Sequence, residues 1–211
     1  MGTRHWLNSY GSIPSDIDAD RYPSMLELLN AALKRHAGRP AFKAFGQTLT
    51  YADVDRLAQS FAAYLQNKLG VERGDRVAVM MPNLLAFPVT LLGIMRAGAI
   101  QVNVNPLYTA RELEHQLNDA GVETIVIFNG STPTLAEVRA NTRLKTVITV
   151  GVGDASGATL PSPPVDARLG VSVSFAEAIA QGSGLALRPV ALTGDDLLFL
   201  QYTGGTTGLS K

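Results

Sequence analysis

From residue 24 onward the apolar positions follow two alternating rhythms. Met25, Leu28, Leu29, Ala32 and Leu33 recur at helical spacing behind Ser24 and Glu27, a pair with capping-box separation, and the pattern stops at Gly38, Arg39 and Pro40. AFKAF over 41–45 and TLTY over 48–51, joined at Gly46 and Gln47, predict a two-stranded hairpin. Thr50 with Asp53 opens a second helix, whose stripe of Leu57, Phe61, Ala62, Tyr64 and Leu65 runs to a stop at Gly70. Apolar runs then appear at 76–81, 100–104, 123–128 and 145–150, separated by helical patterns at 84–96, 110–120 and 133–141. Strands alternating with helices of this length need βαβ crossovers. The fold class is therefore α/β: a layered, mainly parallel Rossmann-like sheet with flanking helices and a small antiparallel hairpin.

The expected organisation is an N-terminal arm over 1–23 followed by a domain over 24–211, which the resemblance described below implies is partial. Residues 151–170 hold nine Gly, Ser or Pro and read as a flexible loop. A short helix over 174–180 follows. LLFLQY over 197–202, bounded by Asp195 and Asp196 on one side and glycine on the other, predicts a buried strand. No charge falls between Arg76 and Arg96, a run close to the length that crosses a bilayer. Pro82, Asn83 and Pro88 interrupt it, so it reads as a soluble βα unit.

Composition narrows the chemistry. With 211 residues the chain can bury a sizeable core unaided, and 46% hydrophobic against 17% charged residues is globular and core-rich. Cysteine is absent, which removes disulfides, thiolate metal sites and cysteine nucleophiles. His5, His36 and His115 lie far from any ligand spacing, so no metal site is expected. Lys and Arg balance Asp and Glu at 18 each, with no basic run, so no nucleic-acid partner is expected. The N-terminus has neither signal-peptide nor transit-peptide character, and the expected localisation is cytoplasmic, with peripheral attachment at the inner face of the membrane left open.

The candidate chemistry sits at the end. After the strand at 197–202 come Thr203, Gly204, Gly205, Thr206, Thr207, Gly208, Leu209, Ser210 and Lys211. Three glycines let backbone N–H groups close on a ligand, four hydroxyls add donors and a lysine adds positive charge, which together suit a polyphosphate. A plain surface turn is the competing explanation, and the position directly after a strand weighs against it. The G-x-x-x-x-G-K-[ST] pattern fails because Ser210, not glycine, precedes Lys211. The dinucleotide pattern G-x-G-x-x-G fails because Ser156 stands third after Gly153.

YTGGTTGLSK over 202–211 resembles the phosphate-binding loop of the AMP-forming acyl-CoA synthetase superfamily. GDRVAVMMPN over 74–83 and GIMRAGAIQVNVNPLYTARELEHQLNDAG over 93–121 match in the same order. The Gly204-Gly205 pair after Leu200-Gln201 looks most like bacterial long-chain fatty acid CoA ligases. Leu209-Ser210 departs from the commoner x-Pro pair before the lysine. The resemblance implies an incomplete N-terminal domain of an adenylate-forming enzyme. It would bind ATP with Mg2+, join a fatty acid to AMP and pass the acyl group to coenzyme A. Thr203, Gly204, Gly205, Thr206, Thr207, Gly208 and Lys211 would hold the phosphates, while the catalytic residues and the acid that handles Mg2+ would lie beyond Lys211. The isolated 211 residues are expected to be inactive, with a homodimer left open. An adenylating relative with another carboxylate, or a non-catalytic dimerisation or binding module, are the alternatives.

Other polar residues have ordinary explanations. Thr109 and Glu112 form another capping box, His115 is expected on the solvated side of that helix, and Asp195 with Asp196 suits a solvated turn. Trp6 and Tyr10 suit a loosely packed arm.

Overall fold

Helix starts marked in the sequence carry their caps. The computed structural model describes residues 4–203. Helix α1 (Met25–Arg35) begins where Ser24 Oγ accepts from the Glu27 amide at 3.3 Å. The hairpin of β1 (Pro40–Ala44) and β2 (Gln47–Thr50) leads into α2 (Tyr51–Lys68), closed at its start by a reciprocal Thr50–Asp53 box. The alternation continues through β3 (Arg76–Met80), α3 (Ala86–Ala97), β4 (Ile100–Asn103), α4 (Ala110–Asp119), β5 (Thr124–Phe128), α5 (Thr132–Val138) and β6 (Thr146–Val150). A two-residue strand β7 (Val173–Ser174), helix α6 (Phe175–Gly182) and β8 (Phe199–Gln201) complete it.

The six strands β3 to β8 form one parallel sheet in the order β7-β6-β5-β3-β4-β8. Because side chains alternate along a strand, each strand serves two cores. Val77, Val79, Val126, Ile148 and Val150 join the core made with α1, α2, α3 and α6. Ala78, Met80, Val102, Ile125, Ile127 and Val147 join the core made with α4 and α5. α2 is the central support of the first layer: Phe61 is fully buried and its ring lies 5.1 Å from that of Phe175 in α6. The end of α6 approaches α2 so closely that a Cβ on Gly182 would sit 1.9 Å from the Ser60 carbonyl oxygen.

β7 and β8 are successive strands on opposite edges, so the chain between them crosses the whole first face. Buried Gln66 of α2 clasps that crossing, donating to the Arg188 carbonyl at 3.1 Å and accepting from the Arg188 amide at 2.9 Å. Asn67 donates to the Ala186 carbonyl at 3.0 Å, and Arg73 pairs with Asp196 at 2.6 Å. Gly98, left-handed at φ 82°, ends α3 beneath the same crossing, where an added Cβ would lie 2.8 Å from Val190.

Two expectations are corrected. The run at 197–202 is an edge strand: Leu197 and Phe199 are exposed, because β8 pairs with β4 alone among the described residues. The helix expected over 133–141 ends at Val138 and continues as a 3-10 turn at Arg139–Asn141. The turn expected at Asp195 and Asp196 is present with Asp195 exposed, and Asp196 is in addition held by Arg73 and the Thr193 amide. The stretch 151–170 contains no strand; it buries Leu169 and is tied by hydrogen bonds from the Val152 amide to Ser162 Oγ at 2.7 Å and from the Asp166 amide to Thr132 Oγ1 at 3.0 Å. No described helix is long and apolar enough to cross a membrane.

Gly182→Ala forces backbone against backbone and is expected to destabilise by about 2 kcal/mol, a fall of roughly 5 °C in melting temperature followed by circular dichroism; an unchanged midpoint would contradict the close approach. Four carboxylates titrate low. The Thr50 hydroxyl depresses Asp53, the Thr109 amide depresses Glu112, the Thr193 amide and then Arg73 depress Asp196, and the Arg168 guanidinium holds Asp166 at about 2. A depressed folded value stabilises above the unfolded value and is lost as pH falls through the folded one. Urea midpoints should therefore stay flat down to about pH 4 and then drop, with Asp166→Asn reducing the drop between about pH 4 and 2.

Candidate functional site

The connection leaving the carboxyl end of β3 crosses the face packed by α2, α3 and α6, whereas those leaving β4 and β5 cross the face packed by α4 and α5. Connections that part to opposite faces open a crevice beyond the carboxyl ends of the strands, which is where open α/β sheets take ligands. β8 runs parallel to β4 beside this divergence and brings Thr203, exposed, out past the same edge. Gly204, Gly205, Thr206, Thr207, Gly208 and Lys211 lie outside the described residues.

The stem of that segment is set by polar contacts that no motif flagged. Asn103, last residue of β4, donates through Nδ2 to Gln201 Oε1 at 2.8 Å, and its own Oδ1 accepts from Gln101 Nε2 at 2.6 Å. Gln116 of α4 donates to the Asn103 carbonyl oxygen at 2.7 Å. Gln101 and Gln116 are buried, and each has a side-chain oxygen with no hydrogen-bond partner within the protein. On the other face the Tyr202 hydroxyl donates to the Asp119 carboxylate. The phenol is pushed up to about 12 by burial and then by the bond to Asp119 and that group's charge, against a smaller opposing effect of Arg76. It therefore stays protonated, and stays a donor, at any neutral pH. The signal available in the sequence was the polar pair Gln101 and Asn103 at alternate positions of an otherwise apolar strand. The signal from Asp119 was its place as an acid closing a helix, where the dipole disfavours it.

Two cavities are lined by described residues away from the end of β8. One of about 610 Å³ sits between α1, α2 and the crossing segment, lined by Asn30, Lys34, Asp55, Arg96 and Val190 among others. Its buried cation is already committed, since Arg96 donates to Asn30 Oδ1 at 2.9 Å, to the Asp55 carbonyl at 2.8 Å and to the Asp55 carboxylate. Another of about 620 Å³ runs along α4 past His115, which is exposed as expected. Among the described residues no three His, Asp or Glu side chains group to hold a metal ion. The segment 202–211 offers hydroxyls, amides and one lysine but no carboxylate, a donor set that fits phosphate oxygens.

Residues 29–211 match the AMP-binding enzyme family. The long-chain-fatty-acid–CoA ligase of Salmonella typhimurium is 44% identical over 98% of this chain, and the chain spans 39% of that protein's length. Among solved structures, an anthranilate CoA ligase in complex with anthranoyl-AMP superposes with a TM-score of 0.75 at 22% identity, covering 92% of this chain and 35% of that one. A long-chain-fatty-acid-CoA ligase from Archaeoglobus fulgidus gives a TM-score of 0.68 at 24% identity, covering 90% and 38%. The two structures establish the fold, with its parallel six-stranded sheet and small hairpin. Together with a family match that runs over most of the sequence and includes the glycine–threonine segment, they lead to one conclusion: this chain belongs to the AMP-binding enzyme family.

Proposed function

We propose that this chain is the N-terminal, phosphate-holding part of a long-chain fatty acid CoA ligase. The observation that carries the proposal is the 44% identity to the Salmonella typhimurium ligase across nearly the whole chain. The fatty carboxylate attacks the α-phosphorus of ATP, giving acyl-AMP and pyrophosphate. The coenzyme A thiol then attacks the acyl carbon and displaces AMP. Two anions must be held together in the first step while negative charge moves onto the leaving pyrophosphate.

The residues of this chain answer the second need. Hydroxyls and amides of Thr203, Gly204, Gly205, Thr206, Thr207 and Gly208 hold the β and γ phosphates, and Lys211 neutralises the departing charge. Mg2+ accompanies ATP in this proposal, with no residue of the segment assigned to it. The enzyme would act in the cytoplasm against the inner face of the membrane, where long acyl chains partition.

The test is ATP–pyrophosphate exchange by the intact protein with acids of graded chain length. Exchange that rises with chain length to a long-chain optimum supports the assignment; exchange driven only by aromatic or short acids would replace it with another carboxylate ligase, and no exchange with any acid would refute it. Lys211→Ala is expected to lower kcat for adenylation by about a hundredfold with little change in the KM for fatty acid, and an undiminished adenylate burst would remove Lys211 from its role.

A further inference from the structure

Two successive residues tie the chain down immediately before the glycine–threonine segment, and they do so on opposite faces of the sheet. Gln201 is held by Asn103 on the one side, while the Tyr202 ring packs on the core made with α4 and α5 and its hydroxyl bonds to Asp119. Gln201 closes β8 and Tyr202 follows it on the face that Leu200 also takes, so the two neighbouring side chains point apart. Restraint from both sides resists rotation of the strand end about its own axis, so Thr203 leaves the sheet in one direction.

Asp119 has no helical reason to be acidic. It is the last residue of α4, where partial negative charge from free carbonyls makes a carboxylate unfavourable and where a basic residue would serve better. It is exposed and adds nothing to the core. What it does have is the phenol of a residue 83 positions later, one step before the first hydroxyl of the segment assigned to phosphate.

We propose that Asp119 is a positioning residue for nucleotide binding, acting through Tyr202 to fix the direction in which the segment from Thr203 onward leaves β8. The inference rests on the phosphate-holding role proposed above. A launch point fixed in advance lowers the ordering that ATP must impose when it binds, so its loss weakens binding of nucleotide and leaves the fatty acid unaffected.

Exchange kinetics of the intact protein, with ATP and fatty acid varied separately, decide the matter for Asp119→Ala, Asp119→Asn, Tyr202→Phe and the Asp119→Ala/Tyr202→Phe double variant. Removing either partner is expected to raise the KM for ATP roughly five- to tenfold, with the double variant no worse than the single ones, the sign of one shared contact. Asp119→Asn keeps a carbonyl acceptor and should stay within about twofold of wild type. The KM for fatty acid should be unchanged throughout. An unchanged KM for ATP in Asp119→Ala and Tyr202→Phe overturns the inference, as do equal rises in both KM values accompanied by a lower melting temperature, which would mark a merely structural contact. Asp119 is exposed, so its variants keep the test available even if Tyr202→Phe folds poorly. Wild-type protein with no exchange at all refutes the phosphate assignment itself, and the positioning role with it.

Discussion

A parallel sheet has helices over both faces, so its strands have no side that can be left to water. In this chain β3 meets that demand with Val77 and Val79 facing α2 and α3, and Ala78 and Met80 facing α4. Everything else follows from filling two cores from one set of strands. α2 must be long and apolar along one stripe to roof the first face, and Gly182 must be small for α6 to lie against it. The shorter, more polar α4 buries Leu113, Gln116 and Leu117 and closes the second together with Leu135 and Val138 of α5. The divergence of connections at the carboxyl edge is a by-product of roofing both faces, and it opens the crevice beside which β8 ends.

Much of this was legible because local and global requirements agree. Capping pairs at Ser24, Thr50 and Thr109 stand immediately before the helices they start, and continuous apolar runs at 76–81 and 123–128 fall on central strands. The run at 197–202 misled, because hydrophobicity reports what a strand can bury and not how many neighbours it has. Leu197 and Phe199 are apolar and exposed on an edge. The crossing of the first face was equally invisible, since it is secured by the amide of Gln66, a residue that in a helical pattern looks like solvent-facing filler.

The candidate site divides the same way. The donors proposed for phosphate come from composition at one place, glycine for backbone approach, threonine for hydroxyls and lysine for charge, and all but Thr203 lie outside the described residues. Its foundation was not, because Asn103, Gln116 and Asp119 belong to elements far away in sequence and become neighbours of Gln201 and Tyr202 only through strand order. A motif states what touches the ligand. The fold supplies what precedes the motif, and here it does so with side-chain amides, one phenol and the packing of the Tyr202 ring.

The link between the two edge strands bears on assembly of the domain. Because β7 and β8 are consecutive yet lie five strand positions apart, β8 cannot dock by growing the ladder outward from its predecessor. Its place depends instead on β4, its ladder partner, and on α2, whose Gln66 holds Arg188, so this edge of the sheet is secured through the helix layer rather than by its predecessor in the chain.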